Sequence, residues 1–142
     1  MSYDLVPKNK EVKEMSVGAF VWPIILQETG MGYVLGYGEG RSPGSYVYKP
    51  DKRGASPASN DGYFVTSREA KMMAAVGRGF ISVNRFINKE WDAMPEDKRK
   101  KDLEYKTHEG KLLYKQPWHE DRLKQIENFC DFAEASKGFR IN

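Results

Sequence analysis

The strongest alternation of apolar and polar positions runs from Thr66 to Lys89, TSREAKMMAAVGRGFISVNRFINK. At 100° per residue, Arg68, Lys71, Arg78, Ser82, Arg85 and Lys89 fall within an arc of roughly 100°, and no acidic residue interrupts them. Met73, Val76, Gly77, Phe80, Ile81, Val83 and Ile87 spread over the opposite arc. The pattern predicts a long amphipathic helix with a basic stripe on one side and a core face on the other. Thr66 and Glu69 form a capping box that fixes its start. Gly77 and Gly79 inside it each cost about 1 kcal/mol relative to alanine, which makes sense where another backbone packs closely.

A second helical pattern is predicted to open at Pro117 and stop at Gly138, with Leu123, Ile126, Phe129, Cys130 and Ala133 on its inner face. Ser16, VGAFVWPIILQET and Gly30 read as cap, helix and stop, with Pro23 either bending the helix or opening a second turn. Pro95 opens PEDKRKKDLEYK, acidic first and basic later, in keeping with the helix dipole. Between the helices, Tyr33 to Tyr37, Ser45 to Lys49 and Tyr63 to Val65 read as short strands separated by Gly, Pro, Ser and Asn. LEYKTHEGKLLYK reads as a hairpin turning at His108, Glu109 and Gly110. The fold class is α+β: a long central helix and a C-terminal helix packed with a small antiparallel sheet, in one globular domain over residues 1–142.

Composition narrows the partners. A chain of 142 residues buries most of its apolar surface on folding, and 13% aromatic residues offset the 30% that are charged. A net charge of +3 is far below what holding a long phosphate backbone demands, so nucleic acid ranks last among the partners. The single cysteine, Cys130, excludes an intramolecular disulfide and cysteine-rich zinc sites, and its apolar setting makes it a core thiol. No signal-peptide pattern and no membrane-spanning run is present, so the sequence reads as cytoplasmic.

Catalytic chemistry finds no foothold in the spacing. His108 and His119 lack metal-ligand spacing and a neighbouring nucleophile, and read as surface residues. Glu96 with Asp97, and Glu120 with Asp121, sit in helix first turns and complement the dipole. Gly36, Gly38 and Gly40 imitate a phosphate loop, but no helix follows them. No catalytic residue, metal site or cofactor is therefore expected. The polar stretch from Pro50 to Gly62 is long for a hairpin loop. Folded over the basic stripe, its Asn60 and Asp61 would hydrogen-bond a ribose or base, and Arg78 and Arg85 would hold phosphate, assisted by Lys71, Arg68 and Ser82. Tyr37, Tyr46, Tyr48 and Tyr63 would add stacking surface.

SNDGYFVTSREAKMMAAVGRGF, together with MSYDLVPKNKE, MSVGAFVWP and FCDFAEASKGF, resembles a family of small accessory proteins carried by phages and bacteria. The resemblance covers most of the chain and brings no catalytic or binding residue with it. It implies a setting in which such proteins act against host defence, by sequestering a nucleotide signal or by blocking a host enzyme. The sequence thus favours a non-catalytic binding protein for a small anionic, nucleotide-like ligand, enclosed with the help of a homo-oligomer. A protein-protein inhibitor of a host enzyme is one alternative. A nucleotide hydrolase or transferase, whose carboxylates would be assembled in space, is another.

Overall fold

A computed structural model describes residues 2–39, 46–48, 56–99 and 118–142. The order of elements is β1 (Ser2–Pro7), β2 (Met15–Gly18), α1 (Val21–Glu28), a 3-10 turn (Met31–Leu35), β3 (Tyr37–Glu39), β4 (Tyr46–Tyr48), β5 (Tyr63–Thr66), α2 (Ser67–Ala93), α3 (Glu120–Ala135) and β6 (Gly138–Ile141). Strands β2-β1-β6-β5 form an antiparallel sheet in that spatial order, and β3 pairs with β4 separately. The helices pack on one face of the larger sheet, as the α+β expectation requires.

Alternation sets which strand residues meet the helices. Tyr63 and Val65 of β5, Phe139 and Ile141 of β6, Leu5 of β1 and Val17 of β2 all point inward and are buried. They meet Trp22 and Phe129, whose rings stack edge to face at 5.5 Å, with Phe129 on Phe139 at 5.9 Å and Phe132 on Phe139 at 5.4 Å. Each such side chain contributes roughly 1.5–3 kcal/mol by leaving water, so this aromatic knot anchors the domain.

The capping box at α2 forms as the sequence predicts: the Glu69 amide donates to Thr66 Oγ1, and the Thr66 amide donates to Glu69 Oε1. The predicted inner face of α3 is buried in full, from Leu123 to Ala133. The helix starts at Glu120, where the exposed His119 accepts from the Asp121 amide at 3.2 Å. It stops because Lys137 and Gly138 turn to positive φ (59° and 98°). A Cβ on Gly138 would stand 2.7 Å from the Val65 carbonyl oxygen, so only glycine lets β6 come in beside β5.

Some local expectations are corrected. Ser16, predicted as a cap, and Val17 and Gly18, predicted as the start of a helix, lie in strand β2 because β1 pairs with it; the helix begins at Val21, and Pro23 sits in its first turn, where no amide donor is needed. The run from Tyr33 is no strand, since Gly30 and Gly36 in left-handed conformations (φ 82° and 75°) wind residues 31–35 into a 3-10 turn. Strands β1 and β6 carry no pattern strong enough to be read alone; each depends on the other, Leu5 facing Ile141 and Val6 facing Arg140. Residues 96–99 are helical, in line with the Pro95 prediction. The expected hairpin around His108 lies outside the described residues, and the last helix, predicted from Pro117, starts later, because Trp118 and His119 are not helical and the extended His119 is the cap.

Candidate functional site

Helix α2 packs antiparallel on α3, and this pairing decides the fate of the basic stripe. Arg78 lies opposite the last turns of α3: its Nε donates to Glu134 Oε1 at 2.8 Å, and its Nη2 donates to Glu134 Oε2 at 2.9 Å and to Asp131 Oδ1 at 2.8 Å. Arg85, two turns on, lies opposite the first half of α3. Its Nη2 donates to Glu120 Oε1 at 2.8 Å, and its Nη1 lies 3.0 Å from Glu127 Oε2. Glu127 also receives Lys124 Nζ at 2.8 Å. Hydrogen bonds from Lys124 and then Arg85 hold the Glu127 carboxyl below the usual carboxylate range, and Arg78 does the same for Glu134. The Arg78 guanidinium is raised in turn, chiefly by Glu134 and then by Asp131.

Arg78, Ser82, Arg85, Ile81 and Glu127 line a cleft of about 180 Å³ between the two helices. The sequence thus grouped Arg78, Ser82 and Arg85 as the structure does. The charge around the cleft is a different matter. Arg78, Arg85 and Lys124 face Glu120, Glu127, Asp131 and Glu134, three cations against four carboxylates. An entering phosphate would have to displace carboxylates already bonded to both guanidiniums. Anion capture at this cleft therefore loses the spare positive potential on which it rested.

The remaining expected ligand residues are dispersed. Lys71 and Arg68 are exposed nearer the start of α2. Tyr63, expected as stacking surface, is a core residue at 1% exposure, because the inward side of β5 carries it. Asn60 and Asp61 are exposed in the turn before β5, which is tied to the end of the sheet by the Gly62 amide donating to the Ile141 carbonyl at 2.8 Å. The described end of the 50–62 loop does not lie over the basic stripe. Trp22 Nε1 donates to the Pro57 carbonyl at 2.8 Å, and Tyr3 donates to that of Ala58 at 2.9 Å, so the loop is fastened to β1 and α1.

A second surface emerges on α2. Val76 and Val83, assigned by the sequence to the core arc, are exposed at 39% and 58%, as are Met72 at 46% and Phe86 at 62%. Together with Gly79 they form a row of spacing 4, 3, 4, 3 along one side of the helix, adjacent to the cations. Beside the row runs an open groove of about 330 Å³ lined by Thr29, Val76, Gly79, Phe80, Val83 and Asn84. Asn84 is 4% exposed; its Nδ2 donates to the Phe80 carbonyl at 2.8 Å, and its Oδ1 has no donor among the described residues. The 4-3 spacing was a readable signal, masked by the stronger cue of the basic stripe.

Among the described residues there is no cluster of three metal-ligating side chains. Burial pushes the Cys130 thiol up to about 11, which leaves it protonated and unreactive in the core. No described helix is long and apolar enough to cross a membrane. No family model, curated protein or solved structure matches this chain.

Proposed function

We propose that this chain is a non-catalytic binding protein that works through a protein contact on the exposed side of α2. The observation that carries the reading is the open row Met72, Val76, Val83 and Phe86 on a helix whose opposite side is filled by α3, β6 and the 3-10 turn. A contiguous apolar patch rimmed by polar residues marks an interaction surface. Scattered apolar residues would carry no such meaning, but these four follow one helical line. The Asn84 acceptor beside the groove, without a donor among the described residues, adds a polar group for a partner to satisfy.

A photo-reactive benzoyl-phenylalanine at position 83, irradiated in cells that make the protein, tests this. A polypeptide adduct is expected, and none from the same group at Lys13, an exposed residue outside α2. Tight nucleotide binding by calorimetry that vanishes in the Arg78→Ala and Arg85→Ala proteins would overturn the reading in favour of anion capture. Chromatographic loss of the incubated nucleotide would overturn it in favour of a hydrolase or transferase.

A further inference from the structure

Along the exposed side of α2, positions equally far before and after Gly79 match in character without being identical. Four residues away stand Ala75 and Val83, seven away Met72 and Phe86, and eleven away Arg68 and Glu90. Offsets of four, seven and eleven all return to one side of a helix, so these residues share a single line. Its centre is small, its shoulders are apolar, and its two ends carry opposite charges. All six flanking residues are exposed, and a Cβ built on Gly79 would find no atom of the described residues within 4 Å.

We infer that the occupant of this surface is the same helix of a second copy, crossing antiparallel at Gly79 about a two-fold axis. The inference rests on the protein-contact reading above and names its partner. In that arrangement Met72 meets the partner's Phe86, and Ala75 meets the partner's Val83. Arg68 meets the partner's Glu90 at both ends, so cation faces carboxylate twice. A parallel arrangement would put Arg68 against the partner's Arg68 and Glu90 against the partner's Glu90, a repulsion at each end. The charge order along the line therefore selects both the self-complementary partner and its direction. Gly79 supplies the close approach, since the residue at a helix crossing sets how near the two axes come. None of the described residues of one copy requires glycine there, whereas an unneeded helical glycine lowers stability.

Sedimentation equilibrium of the full chain over a rising concentration series gives the first reading: a monomer-dimer equilibrium is expected, weakened on the order of tenfold or more by Phe86→Asp. The Gly79→Cys protein gives the second, because buried Cys130 leaves it with one reactive thiol. Mild oxidation is expected to link two Gly79→Cys chains, with no such link from Glu14→Cys. Mixing Met72→Cys with Phe86→Cys chains is expected to give the mixed disulfide; preferential linking of Met72→Cys chains to each other overturns the antiparallel geometry. A strictly monomeric protein whose position 83 crosslinks to a different polypeptide overturns the second-copy inference and leaves the protein-contact reading standing. A strictly monomeric protein with no adduct, or one crosslinked only to its own chain, removes both.

Discussion

Gly77 and Gly79 lie two positions apart on α2 and face opposite worlds. A Cβ on Gly77 would sit 2.6 Å from Cys130 Sγ and 3.0 Å from Met31 Sδ, so the glycine is the condition for α3 and the 3-10 turn to close on α2. A Cβ on Gly79 would touch none of the described residues. The same residue type, at the same local energetic disadvantage, is thus explained by the monomer on one side and unexplained by it on the other. A helix can be fully accounted for along one face while its other face still awaits a reason.

Substitutions that treat the two sides alike put this difference at risk. The largest contrast is Phe129→Ala against Phe86→Ala. The first empties the aromatic knot and should cost about 3–5 kcal/mol in chemical denaturation, whereas the second should move dilute-protein stability by about 0.5 kcal/mol or less. Next comes Gly77→Ala, where overpacking against Cys130 and Met31 should destabilise by about 1–3 kcal/mol. Gly79→Ala should do the reverse, raising the stability of dilute monomer by about 1 kcal/mol. The same change should weaken self-association in the ultracentrifuge. Equal losses from the two alanines would erase the distinction between the faces.

The smallest effect belongs to the ion pairs that join α2 to α3. Arg78 is held by three hydrogen bonds but remains substantially exposed, so after solvent screening Arg78→Ala should cost about 1 kcal/mol or less and fade at high salt. The pH dependence has a definite sign. Glu127 and Glu134 titrate below the usual carboxylate value of 4.5 when folded, so their contribution is complete above that value and is lost as pH falls through the depressed range. Thermal melts of the native and Arg78→Ala proteins should differ near neutral pH and converge in acid.

What was legible in the sequence was whatever a short window could hold. The capping box, the inner face of α3 and the grouping of Arg78, Ser82 and Arg85 depend on neighbours within a few turns, and each is found in place. The partners of the arginines were not legible as partners, although Glu120, Glu127, Asp131 and Glu134 repeat at 7, 4 and 3 along α3, a row cut to match cations seven residues apart. Seeing the match requires knowing that the two helices lie antiparallel. For the same reason β1 and β6 escaped, because strands defined by each other across most of the chain leave little local trace. The exposed row of α2 was misread because Val76 and Val83 are apolar, and periodicity assigns apolar residues to the inside without knowing how wide the inside is.

The pairing of β1 with β6 also sets an order of assembly. The Asp4 amide donates to the Asn142 carbonyl at 2.8 Å, and the Asn142 amide donates back to the Asp4 carbonyl at 2.9 Å, so residues far apart in sequence share the middle of the sheet. Bringing them together closes the long loop between β1 and β6, an entropic toll that local helix formation does not face. Helices α2 and α3 have far less distance to cover, and on these grounds their pairing is expected to form first and to supply the apolar floor onto which β1 and β6 later zip.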